Sequence, residues 1–203
     1  MRSVLTAAAA AALLAGSANS AHAFFHLLFQ SQPPQQQYNQ QYYQQYYQGA
    51  PGSRVQISPI PREVVALSGY TPGSIVISTS ERRLYYVLPG GQAIRYGIGV
   101  GRPGFAWSGT HSITQKRAWP DWRPPAEMLH RRPDLPRYMA GGVENPLGAR
   151  AMYLGSSLYR IHGSNEPGTI GQAVSSGCIR MTNEDVVDLY SRVRVGTKVV
   201  VLR

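Results

Sequence analysis

The sequence predicts a mainly β domain closed by one amphipathic helix near its C-terminus. Three observations predict it. Short β-branched and aromatic runs recur from Ser74 onward, Gly- and Pro-rich turns separate them, and one stretch after Met181 repeats apolar residues with the helical period. In chain order, residues 74–78 (Ser-Ile-Val-Ile-Ser) and 84–88 (Leu-Tyr-Tyr-Val-Leu) read as strands, and Pro89-Gly90-Gly91 turns the chain into a third over 92–100. Residues 152–154, 159–162 and 198–202 have the same character, so a predominantly antiparallel sheet assembly is expected. The helix begins where Thr182 or Asn183 can cap it. Glu184 and Asp185 occupy its first turn, and Val186, Leu189, Tyr190 and Val193 fall on one face. Between these groups, residues 101–148 are rich in Gly and Pro and hold all three tryptophans, Trp107, Trp119 and Trp122. This stretch reads as a Trp-bearing loop insertion, the kind of segment that forms a lid or binding loop, or one whose tryptophans are ordinary hydrophobic anchors for loops without strand pairing.

With 203 residues, 43% hydrophobic and 15% charged, the chain supports one domain plus extensions and excludes both a large multidomain machine and a wholly disordered protein. The N-terminus supplies the first extension. Arg2, the apolar run 4–15 and Ala21-His22-Ala23 have the order of a secretory signal peptide over 1–23, and the run is shorter than the ~20 residues a membrane span needs. Cleavage would leave no transmembrane anchor. Export also sets aside nucleic acid as the partner of a chain with formal charge +10 and favours anionic cell-envelope material. Residues 24–54 alternate Gln with Tyr and nearly lack aliphatic side chains, so they cannot bury enough apolar surface to offset the entropy of ordering. They read as a low-complexity disordered linker, either a tether or an adhesive arm. The folded domain is assigned to 55–203.

Cys178 is the single cysteine, which excludes an intramolecular disulfide and thiol-clustered metal sites. It is a buried small hydrophobe, half of an intermolecular bridge, or a nucleophile. Its neighbours bear on the choice. Cysteine chemistry requires a base to make the thiolate and donors for the oxyanion that forms when it attacks a carbonyl. His162, ending a strand, is the candidate base if the loop over 163–174 folds back. Gly177 leaves the backbone open just before the thiol, so the N–H groups of Gly177 and Cys178 can converge on an oxyanion.

The order His162-Gly163, a loop, then Ser175-Ser176-Gly177-Cys178-Ile179-Arg180 resembles the signature of the L,D-transpeptidase catalytic domain, also called the YkuD domain. Gly99-Val100-Gly101, Asn145-Pro146-Leu147-Gly148, Asn183-Glu184-Asp185 and Gly196-Thr197 extend the likeness, which covers about residues 70–203. It implies a YkuD-like β-sandwich and a peptidoglycan L,D-transpeptidase that works without cofactor or metal. Cys178 would be the nucleophile and His162 the base. The Gly163 carbonyl would orient the imidazole, and Gly177 with Cys178 would form the oxyanion hole. Arg180 would steer the acidic stem peptide or brace the loop through Glu184 or Asp185, with Ser175, Ser176, Trp107 and Trp119 as further substrate contacts. Many members carry histidine where this chain has Ser176. The partners implied are peptidoglycan stem peptides, with another stem peptide, a D-amino acid or an envelope protein as acyl acceptor, and the location implied is the periplasm. The competing readings are a hydrolase of the same bonds and a non-catalytic wall-binding envelope protein.

Overall fold

A computed structural model describes residues 58–203. The predicted signal peptide, the Gln/Tyr tract and the first residues of the predicted folded domain lie outside the described residues.

The hydrophobic runs become strands because their apolar positions can be buried on both sides. Strand β1 (Glu63–Ala66) leads to β2 (Ile75–Ser78), all four residues of which are buried. The Pro89-Gly90-Gly91 turn joins β3 (Arg83–Leu88) to β4 (Gln92–Gly97) in a six-residue antiparallel ladder, with Gly90 and Gly91 at φ of 76° and 70°, a region that favours glycine. Then follow β5 (Val100–Gly101), β6 (Gly109–Ala118), helix α1 (Ala126–Arg131), β7 (Arg150–Leu154) and β8 (Arg160–His162). Strands β9 (Ala173–Ser175) and β10 (Ile179–Arg180), helix α2 (Asn183–Arg192) and β11 (Lys198–Leu202) complete the described chain.

Nine strands form one sheet in the order β1-β4-β3-β2-β11-β6-β7-β8-β10, and β5 pairs with β9 apart from it. The nine-stranded sheet is mostly antiparallel, as expected, but its β2–β11 and β8–β10 pairs run parallel, as does the separate β5–β9 pair. Strand β6 is the corner. Gly109 to Ser112 pair with β11, whereas Ile113 to Ala118 pair with β7, and the register shifts between Ile113 and Gln115. A strand that changes partners through an irregularity lets the sheet curl over its own core. That core contains Ile75, Ile77, Leu84, Tyr96, Ile98, Met152, Leu154, Ile161 and Ile179, with Val186, Leu189 and Val193 from α2.

The stretch 101–148 is not wholly irregular, contrary to the sequence expectation, since it holds β6 and α1. Only Ile113 of β6 is buried, and no residue of α1 is, so neither element carries the apolar periodicity by which it is recognised.

Helix α2 begins as expected. Thr182 is the N-cap, its hydroxyl accepting from the Asp185 N–H at 3.2 Å. At the other end the Lys116 ammonium donates to the carbonyls of Tyr190 and Val193 at 2.7 and 2.5 Å, which satisfies acceptors the helix leaves unpaired. Arg62 reaches Glu184, Asp185 and Asp188 on the same helix at 3.2–3.5 Å.

Candidate active site

Strand alternation assembles the site. Ile161 and Ile179 are register partners in the parallel β8–β10 pair, and both are buried in the core. Side chains alternate in direction along a strand, so Arg160 and His162 on β8 and Cys178 and Arg180 around β10 share the opposite face. All four line one cleft of about 720 Å³. The Met181 N–H donates to the His162 carbonyl at 2.9 Å and extends the pairing past the strand ends.

His162 is 4% exposed, and its Nδ1 lies 2.6 Å from the Gly163 carbonyl oxygen. A carbonyl only accepts, so Nδ1 carries the proton and Nε2 keeps a lone pair. Burial pulls the imidazole pKa down to about 3. The bond to Gly163 opposes that fall, and the Arg180 and Arg160 charges add to it. Burial pushes the Cys178 thiol up, against the opposing pull of the Arg160 main chain and the Arg160 and Arg180 charges. Both groups are therefore neutral near pH 7. A neutral imidazole with a lone pair on Nε2 is able to accept a proton from a neutral thiol, whereas a standing thiolate–imidazolium pair is disfavoured by this burial.

The main chain just after His162 is held from below by α2. Buried Asn183 accepts from the Ala149 N–H at 2.8 Å and donates to the Ser164 carbonyl at 3.1 Å. A Cβ on Gly163 would collide with the Asn183 Oδ1. Asn183→Ala should therefore lower stability by on the order of 2–3 kcal/mol through two abandoned buried partners. Chemical denaturation would measure it, and an unchanged midpoint would refute the strut role.

The turn before Cys178 is equally constrained. Gly177 has φ of 106°, and a Cβ there would strike the Tyr159 ring. Ser175 is buried, donates from its hydroxyl to the Cys178 carbonyl at 2.6 Å and accepts from the Gly177 N–H at 3.1 Å. The Gly177 N–H, expected beside that of Cys178 as an oxyanion donor, is thus directed to Ser175. The Cys178 N–H has no acceptor among the described residues.

The other expected contacts divide. Ser175, Ser176 and Arg180 line the cleft. The brace of Arg180 is Glu166, at 3.0 Å, and not Glu184 or Asp185, which face Arg62. Trp107 and Trp119 lie outside the cleft lining. Trp107 stacks on Tyr159 with ring centroids 4.5 Å apart and planes 5° from parallel, and its indole N–H donates to the Gly177 carbonyl at 2.7 Å. The Trp119 N–H donates to the Ala149 carbonyl at 2.8 Å, tying the end of β6 to the start of β7. Trp122 is the tryptophan on the cleft wall, with Met128 and Arg131 from α1. Buried Asn145 holds that wall together, donating to the carbonyls of Pro120, Met139 and Ala140 and accepting from the Leu147 N–H.

Sequence reasoning missed Arg160 and Glu166 as site residues and singled out Trp107 and Trp119 where Trp122 of the same aromatic loop lines the cleft. Arg160 was within reach of it, because it stands two residues before His162 on the same strand face. Glu166 and Trp122 lie in loops whose folding back no local pattern announces. Among the described residues, no group of three or more His, Cys, Asp or Glu side chains could hold a metal ion.

A curled sheet with these residues at its edge is the arrangement of an L,D-transpeptidase catalytic domain, whose family model matches residues 72–201. The chain belongs to that family. It is 39% identical over 149 residues to the probable L,D-transpeptidase YbiS of Escherichia coli (strain K12), covering 69% of this chain and 47% of that protein. It is 38% identical over 135 residues to the probable L,D-transpeptidase YcfS of the same organism, covering 62% and 42%. The chain thus spans about half the length of the curated relatives it matches. An L,D-transpeptidase from Mycobacterium smegmatis superposes with a TM-score of 0.52 at 18% identity, covering 64% of this chain and 58% of that one, a likeness of fold.

Proposed function

We propose that the protein is a cysteine acyltransferase acting on peptidoglycan stem peptides. The observation that carries the reading is the shared face of β8 and β10. It offers one thiol, one imidazole with its Nδ1 proton committed to Gly163, and one backbone N–H without an acceptor among the described residues, all at a cleft.

The steps balance without a cofactor. As Cys178 Sγ bonds to the acyl carbon before the terminal D-residue of a stem tetrapeptide, its proton passes to His162 Nε2. The tetrahedral oxyanion collapses, the C–N bond breaks, and His162 returns the proton to the leaving amine. The thioester keeps the acyl group activated, more reactive toward an amine than the peptide bond that was broken. An acceptor amine attacks, loses a proton to His162, and expels the thiolate, which is reprotonated. The acceptor amine belongs to another stem peptide, a free D-amino acid or an envelope protein.

Arg131, Arg132, Arg160 and Arg180 outnumber Glu127, Glu144 and Glu166 on the cleft lining, and although Arg180 is paired with Glu166 the remaining excess of positive charge suits a substrate bearing carboxylates. A carbapenem offers the thiol a strained carbonyl and should form a covalent adduct on Cys178. The leader pattern over 1–23 and the basic charge favour the periplasm as the place of work.

Mass spectrometry of the purified protein incubated with a disaccharide-tetrapeptide tests the reading. A cross-linked dimer or an exchanged terminal residue is expected. Tripeptide alone would mean that water is the acceptor, and unchanged substrate would overturn the reading.

A further inference from the structure

We infer that Trp107 is a positioning residue that sets the oxyanion donor by fixing the Gly177–Cys178 peptide plane, an assignment that rests on the acyl-transfer reading above. The described residues contain no cis peptide, so the Gly177 C=O and the Cys178 N–H point in opposite directions across a rigid plane. Whatever holds the carbonyl therefore aims the N–H.

The Trp107 indole holds it. Its N–H donates to the Gly177 oxygen at 2.7 Å, and the ring cannot tilt freely because it lies flat on Tyr159 and meets the His111 ring edge-on at 5.2 Å. Tyr159 in turn occupies the space a Gly177 Cβ would fill. The plane is thus gripped at its oxygen, and glycine at 177 permits the φ of 106° that this orientation requires.

The grip matters because the turn has little in reserve. The neighbouring Gly177 N–H is directed to Ser175, which leaves the Cys178 N–H as the donor of this turn without a protein acceptor. If the peptide plane rotated, a carbonyl oxygen would face the developing negative charge in place of a hydrogen. Electrostatic preorganisation of that kind acts on the transition state and not on the thiol itself.

This separates two reactions of the same sulfur. Acylation by a carbapenem passes through an oxyanion, whereas alkylation by iodoacetamide does not. Trp107→Phe keeps a ring on Tyr159 and removes the N–H, and 3-benzothienylalanine at position 107 replaces only the N–H by sulfur. Both variants should be acylated about 10-fold or more slowly than wild type, read by intact mass against time, while alkylation stays within about twofold. Should acylation and alkylation fall together in the isosteric variant, the tryptophan is merely structural and the proposal is overturned. Equal acylation of variant and wild type overturns it as well and leaves acyl transfer standing. A wild-type protein that takes up iodoacetamide but no carbapenem overturns acyl transfer itself, and this proposal with it.

Discussion

Cys178→Ala is expected to reduce transfer to the uncatalysed background and to abolish covalent capture, while the protein stays folded. No other sulfur nucleophile is available, since the chain has one cysteine. Its sulfur makes a long contact of 3.9 Å with the Leu158 carbonyl, so exchanging a half-buried thiol for a methyl group abandons little. The change in unfolding free energy should stay within about 1 kcal/mol. Product analysis with a disaccharide-tetrapeptide and a denaturation curve check both halves of this expectation. Turnover retained by a folded variant would remove thioester chemistry altogether.

His162→Asn is expected to slow turnover at least about 10²-fold, the low end for loss of a general base. The asparagine amide can still donate to the Gly163 carbonyl from the position of Nδ1, so the variant removes the base at Nε2 and keeps the strut. A second effect runs in stability. The native imidazole titrates near 3 and the unfolded one near 6.5, so between those values the unfolded chain binds the extra proton. Stability from this group is complete above the unfolded value and is lost as pH falls through the window, at no more than about 1.4 kcal/mol per pH unit. The wild-type curve should therefore drop more steeply than that of His162→Asn from pH 6.5 towards 3. Parallel curves would mean that the imidazole is solvated in the native state. For the same reason, the acid limb of the wild-type rate profile should lie below the ordinary histidine range.

Most of the sheet was legible because its strands bury both neighbours and alternate sides. β2, β3, β4, β7, β8 and β11 all fall on runs recognisable from residue type alone, and Thr182 with Glu184 and Asp185 marks the start of α2. β6 escaped because a corner strand exposes nearly every side chain. Of the cleft, the meeting of Cys178 with His162 and the bond from His162 to the Gly163 carbonyl were legible from the motif as geometry. The duties of Trp107 and Asn183 were not, since each acts through main-chain atoms of residues far away in sequence. A tryptophan in a Gly- and Pro-rich stretch reads equally as a ligand surface or as an anchor for the loop, and only the fold reveals that the Trp107 ring is engaged with Tyr159 and Gly177.

The pairing of Ile161 with Ile179 makes the reactive edge a device with parity. Between Asn165 and Gln172 the chain may change in length without altering which way Cys178 points, because the ladder and not the loop sets direction. One residue added between Ser175 and Ile179 is another matter. If the ladder kept its register, the turn would have to absorb the extra residue. If the ladder slipped by one, an isoleucine would face the cleft and the thiol would be sealed in the core. Descendants of this sequence are therefore free to remodel the loop over 165–172, yet are confined to a fixed count of three residues between Ser175 and Ile179, a division of freedoms that an aligned set of relatives would display as gaps on one side and none on the other.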